Sequence, residues 1–193
     1  MSPLRTLRRR TRRRLSAASW MVALGSVLSL FAVLRVGVDV RPVAVLLLWL
    51  AIITPILVRT DILTRRLPNR IVLPALAVAM PLTALDAVVR RAPVWEALCA
   101  SLVVGGALYA CAVFGGLGMG DVKLGALLGL TVGCFGVPAV VLFVTITICA
   151  AGIVGAAVVC IARGRGAAAG WQIRIPFGPF LLLGAWAAIA VVA

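Results

Sequence analysis

The chain contains no histidine, which removes the Ser-His and Cys-His nucleophile pairs and the HExxH zinc site. Few hydrolytic chemistries survive that loss. Negative charge is scarce as well, with five Asp and Glu against nineteen Lys and Arg. No CxxC pair occurs. The cysteines Cys99, Cys111, Cys134, Cys149 and Cys160 are odd in number and sit singly in apolar stretches, a pattern of neither zinc binding nor a disulfide framework. They read as small packing residues. Also missing is the polar surface of a soluble domain: 64% of the 193 residues are apolar and 12% are charged, where soluble domains hold about half and about a quarter. The composition is that of an all-α, polytopic integral membrane protein.

A helix needs about 20 apolar residues to cross a bilayer, and that ruler divides the chain into about seven hydrophobic helices. They cover 17–34, 42–58, 71–89, 94–114, 122–133, 137–162 and 176–193. Six or seven of them are expected to span, the fifth being short. Residues 1–16 form a basic tail and 17–193 one membrane-embedded unit. No internal repeat and no linker beyond residues 164–170 interrupts it.

The net charge of +14 could point to nucleic acid, but the basic residues punctuate apolar runs and form no patch interleaved with aromatics. No nucleic-acid partner is expected; a bilayer with anionic lipids is. Arg5, Arg8, Arg9, Arg10, Arg12, Arg13 and Arg14 crowd the first residues. Thr11-Arg12-Arg13 could belong to a twin-arginine signal. No small-residue cleavage site follows the apolar run, so a retained first helix is the better reading. With the N-terminus in the cytoplasm, fifteen of the nineteen basic residues fall on the inner side, leaving Arg35, Arg41, Arg90 and Arg91 outside. The positive-inside rule therefore sets a cytoplasmic N-terminus.

Acidic groups near a bilayer are costly, so each needs a reason. Asp39 lies between Arg35 and Arg41, and Asp86 and Glu96 flank Arg90 and Arg91, so interfacial solvation or ion pairing accounts for those three. Asp61 and Asp121 differ: the topology puts both at cytoplasmic ends of segments, where they can meet. Two carboxylates held close cannot both ionise easily, so one keeps its proton as acid while the other activates water as base. Such chemistry needs neither histidine, metal nor cofactor. Asp121 sits in Gly115-Gly116-Leu117-Gly118-Met119-Gly120-Asp121-Val122-Lys123, where glycines permit sharp turns and close approach of a second backbone. Lys123 has two readings, biasing that acid towards ionisation or anchoring the helix at the headgroups. Asp61 opens a polar turn, Asp61-Ile62-Leu63-Thr64-Arg65-Arg66-Leu67-Pro68-Asn69-Arg70, whose arginines read as membrane anchors.

These residues resemble the type IV prepilin peptidases, membrane aspartic proteases of the GxGD class. The likeness runs from about residue 60 to 185. It rests on Asp61 with Leu67-Pro68-Asn69, on Gly118-Met119-Gly120-Asp121-Val122-Lys123-Leu124, and on Ile175-Pro176-Phe177-Gly178-Pro179-Phe180. It implies that Asp61 and Asp121 are catalytic and face the cytoplasm. The implied substrate is a prepilin-like membrane protein, pilin or pseudopilin, whose basic leader is cut off just before its hydrophobic helix. Gly118 and Gly120 would keep the approach open. Pro176, Gly178 and Pro179 are read as architectural, the prolines suiting a helix start and Gly178 close packing. Many members of the family carry an early cytoplasmic loop with paired CxxC zinc ligands and also methylate the new N-terminus. Here there is no CxxC, and a minimal, peptidase-only form in a bacterial-type cell membrane is expected. Competing readings are another intramembrane aspartic protease, or a small proton or cation channel or transporter using the same aspartates. Neither the client nor the oligomeric state has a signature in the sequence.

Overall fold

A computed structural model describes residues 20, 22–35, 41–64, 69–115, 117–164 and 176–193. Among these, every regular element is helical. In chain order they are α1 (Val22–Arg35), α2 (Pro42–Thr64), α3 (Asn69–Arg90), α4 (Val94–Gly115), α5 (Met119–Gly133), α6 (Val137–Gly164) and α7 (Gly178–Val192).

Length separates the helices into two kinds. Four, in α2, α3, α4 and α6, are long and apolar enough to cross a membrane. The described part of α1, and the 15-residue α5 and α7, fall short of that ruler, so fewer helices meet it than the six or seven expected. At 1.5 Å per residue α5 and α7 are each about 22 Å long, less than the hydrocarbon thickness of about 30 Å. They are nevertheless the most enclosed: ten residues of α5 and eleven of α7 are buried. Irregular backbone at membrane depth is tolerated only where protein shields it, so a short helix in such a bundle belongs inside it.

Small residues make this enclosure possible. Gly125, Gly129 and Gly133 recur every fourth residue along α5 and face α4, the pair that packs most extensively. A Cβ at Gly129 would lie 2.8 Å from the Ala100 carbonyl oxygen, and one at Gly133 2.6 Å from the Ala97 Cα. The two backbones thus touch along a seam of the small-xxx-small kind that drives association where no hydrophobic effect separates helix from lipid. The Ser101 hydroxyl donates across it to the Ala126 carbonyl at 2.8 Å. On the other side of the bundle Trp186 of α7, 1% exposed, donates its indole N–H to Thr54 Oγ1 of α2 at 3.0 Å.

Three expectations change. The helix α2 runs past residue 58 to Thr64, so Asp61 stands on a helix and not in a polar turn; Ile62 and Leu63 continue the apolar pattern for another turn. Asp86 pairs with Arg41 of the preceding segment, at 3.0 Å, and not with Arg90 or Arg91 beside it, because Arg91 is drawn into the end of α3. It adopts φ 55°, and the Ala92 N–H closes back on the Ala87 carbonyl at 2.9 Å, a Schellman ending. Finally, Cys99, Cys111, Cys149 and Cys160 are exposed and only Cys134 is half-buried; they coat the outside of the bundle, where a thiol is as acceptable to lipid as to a core. Asp39 lies outside the described residues.

The seam yields a prediction. Gly129→Ala should lower stability by about 1–3 kcal/mol, the usual cost of overpacking, measured by unfolding in detergent. Gly152→Ala, whose Cβ would meet nothing within 4 Å, should leave it unchanged or slightly raised.

Candidate functional site

Asp61 projects from the last turn of α2 and is 4% exposed. A buried carboxylate needs donors, and one comes from the backbone: the Gly178 N–H donates to Asp61 Oδ2 at 3.1 Å. Gly178 is the first residue of α7, with Pro179 behind it in the first turn. Helix starts leave backbone N–H groups without intrahelical acceptors, and proline suits this position because it has no N–H to satisfy. The approach also requires glycine for its size, since a Cβ at residue 178 would lie 2.8 Å from Asp61 Oδ2.

Asp121 occupies the first turn of α5, ahead of the apolar run 122–133 and outside the four spans. It is 9% exposed. Its own N–H donates to the Gly118 carbonyl at 3.0 Å, and Gly118, the N-cap, offers no side-chain cap. The carboxylate folds back over it, so that a Cβ on Gly118 would stand 3.4 Å from Asp121 Oδ2. The φ of Gly118 is −72°, open to any residue, so glycine serves here by leaving space. Among the described residues, Asp121 Oδ1 is a buried side-chain oxygen without a hydrogen-bond partner. Burial chiefly, and then the neighbouring charge of Asp61, push the Asp121 carboxyl up to about 7, against a smaller opposing effect of the Gly118 backbone amide. The effect of Asp61 on this carboxyl reaches across sixty positions of sequence.

The remaining residues singled out from the sequence scatter around this pair. Gly118 is exposed, Gly120 and Lys123 are half-buried, Pro176 is half-buried and Pro179 buried. Pro68 lies outside the described residues, and Asn69 opens α3. For one residue the sequence reading gave the packing and missed the hydrogen bond. Gly178 was expected to be architectural, yet its amide contacts Asp61; the signal lay in Pro-Phe-Gly-Pro opening a helix, where a bare backbone donor is offered.

Asp61 and Asp121 are thus both buried, one at the end of α2 and the other at the start of α5, inside a polytopic helical bundle. The family model of the type IV leader peptidase family matches residues 44–156, and the chain belongs to that family. It is thereby a membrane peptidase related to prepilin processing. The matched region holds both aspartates and stops short of Gly178. Neither curated proteins nor solved structures give a match.

The Gly178 contact can be tested by a double-mutant cycle. Gly178→Ala should destabilise the wild-type protein by about 1–3 kcal/mol through overpacking, read by unfolding in detergent. The same change in an Asp61→Ala background should cost far less, because the oxygen it strikes is gone.

Proposed function

We propose that this peptidase is an aspartic endopeptidase that removes the basic leader of a prepilin-like precursor, pilin or pseudopilin, at the cytoplasmic face of a bacterial-type cell membrane. Asp61 and Asp121 form the catalytic dyad. The observation that carries the reading is the shared burial of the two carboxylates, with one oxygen of Asp121 left without a hydrogen-bonding partner. A buried polar atom in that state is rare in a folded protein, and strongly perturbed acids concentrate at functional sites.

In this mechanism Asp121 holds the shared proton near neutral pH, and Asp61, fixed by the Gly178 amide, draws a proton from water as its oxygen adds to the scissile carbonyl. Asp121 protonates the departing amine as the tetrahedral intermediate collapses. Gly118 is exposed and Gly120 half-buried, which leaves the side of Asp121 accessible to an extended peptide. A pocket of about 460 Å³ lined by Val22, Pro55, Ile56, Arg59, Thr60 and Leu63 flanks the Asp61 end of α2, where an apolar substrate helix can lie against α1 and α2. The inner-side excess of arginine and lysine supports the cytoplasmic placement of this end.

Two outcomes follow. Asp61→Asn and Asp121→Asn should each lower cleavage of a co-expressed precursor by about 10³-fold or more while inserting normally, with mass spectrometry placing the wild-type cut before the hydrophobic helix. Retained cleavage in either variant would sink the dyad, and ion flux without cleavage would favour a conducting role. The second outcome concerns pH. Because the Asp121 carboxyl is pushed up to about 7, its acid form is present below that pH and lost above it, so kcat/KM should fall about tenfold per unit on the alkaline side. A flat profile to about pH 9 would exclude Asp121 as the acid.

A further inference from the structure

The dyad requires α5 to sit at one depth, and α5 is poorly equipped to find it alone. A helix of 15 residues, about 22 Å long, is too short for hydrophobic matching to fix its position along the membrane normal. Its main contact is the glycine seam with α4, where Gly125, Gly129 and Gly133 present a smooth surface. Such a seam sets how close the helices come; along it the hydrogen bond from Ser101 to the Ala126 carbonyl resists sliding at the middle of α5, leaving its two ends to be held by other contacts. At the Asp121 end the N-cap, Gly118, offers no side-chain cap. The opposite end of α5 is different.

There the C-cap carbonyl of Cys134, an orphan acceptor of the last turn, receives two arginines. Arg90 Nη1 donates to it at 2.8 Å and Arg41 Nη2 at 3.3 Å, cations placed where the helix dipole favours them. Arg41 also lies over the Phe135 ring, 4.6 Å from its centroid, and so grips the turn between α5 and α6 in two ways. Arg41 is held in turn by Asp86, which is 2% exposed. Its Nε and Nη2 donate to Oδ1 and Oδ2 at 3.4 and 3.0 Å, a fork that fixes the guanidinium plane. The Val43 N–H at the start of α2 reaches the same Oδ1 at 3.5 Å. The starts of α2 and the ends of α3 and α5 are thus tied through one carboxylate and one guanidinium.

We propose that Arg41 and Asp86 are positioning residues of the peptidase, forming a latch that sets the depth of α5 and through it the placement of Asp121 against Asp61. The latch stands twenty residues from Asp61 along α2, about 30 Å at the helical rise, so its members do not touch the reacting atoms. A carboxylate pair needs alignment within a fraction of an ångström, and a displacement near 1 Å is enough to cost about 10²-fold in rate. A small slide of α5 along its glycine seam, released by loss of the latch, is of that size. The inference rests on the dyad reading above.

The experiment uses the full chain in its membrane with a precursor substrate. Variants Arg41→Lys, which keeps the charge but loses the fork and the ring contact, Asp86→Asn, and the pair Arg41→Ala with Asp86→Ala are compared with Leu47→Ala. Leu47 is a fully buried residue of α2 whose truncation lowers stability while leaving helices largely in place. At a temperature where every variant is folded, the latch variants should lose about tenfold or more in kcat with KM little changed, and the alkaline limb of the pH profile should move away from about 7. Leu47→Ala should keep both, despite its lower melting temperature. Folded latch variants that retain the wild-type kcat and limb would overturn the proposal. So would a Leu47→Ala variant that shifts kcat and limb as much as they do, since the effect would then be general loosening. If the double Ala variant does not fold, Arg41→Lys and Asp86→Asn decide. Failure of the dyad reading is separately visible, because the wild-type protein would then lack the alkaline limb altogether.

Discussion

A carboxylate kept out of water must be met by donors or give up its charge, and the donor that Asp61 finds is a backbone amide 117 positions later in the chain. Much of the bundle is arranged so that this meeting can happen. The amide is available because α7 begins at Gly178, and α7 begins there because Pro179 favours a first turn. It can come within 3.1 Å because residue 178 has no side chain. The depth of α7 is then held further along its length, where Trp186 donates to Thr54 on α2 and Thr147 of α6 donates to the Phe180 carbonyl at 3.4 Å. Asp61 and Thr54 lie two turns apart on the same helix. The contact that satisfies the acid and the contact that anchors the tryptophan therefore join the same two helices.

The use of short helices follows from the same need. A helix that crosses the whole bilayer places its ends at the headgroups, among water and mobile lipid. One of 15 residues, surrounded by longer neighbours, can end inside the protein. Most of α5 and α7 lies buried, and their first turns supply Asp121 and the Gly178 amide. Enclosure raises the cost of any uncompensated charge, which is why Asp121 is driven towards its protonated form. The same enclosure leaves the short helices without interfacial anchors, so their placement depends on contacts within the bundle: the glycine seam for α5 laterally, and arginines at its far end.

How much of this was legible in the sequence depends on the range of the interaction. The two aspartates stood out because acids are so few and so costly in this setting, and the helical class followed from composition and run lengths. The boundary near residue 58 was misplaced because Arg59 and Asp61 look like an exit from the membrane, whereas Asp61 is one of the residues the bundle encloses. Gly178 was read as a packing glycine because a backbone N–H has no letter of its own; residue type announces side chains only. For Asp86, near Arg90 and Arg91 in sequence, the reading left interfacial solvation or ion pairing open; it is ion-paired, with Arg41, 45 residues distant, a partner that sequence proximity does not reveal. The cysteines read as small packing residues in apolar stretches, and four of the five lie on the outside of the bundle, because apolar sequence in such a protein marks the lipid-facing surface as well as the core.

The acidic residues, taken together, show how such a protein sorts its charges. Glu96 stands in the first turn of α4, where the helix dipole favours a negative group and where it is half-buried. Asp86 is almost wholly enclosed yet neutralised by a guanidinium fork that meets both its oxygens. Asp61 has the Gly178 amide. Among the described acidic residues, Asp121 has a buried oxygen, Oδ1, with no hydrogen-bond partner, and the charge of Asp61 pushes its pKa up further. Nothing in packing requires an acid there: a small polar residue would fit the first turn of α5 with less penalty. An acid left in that state is in keeping with the proposed role of Asp121 as the member of the dyad that holds the proton, since strongly perturbed acids concentrate at functional sites.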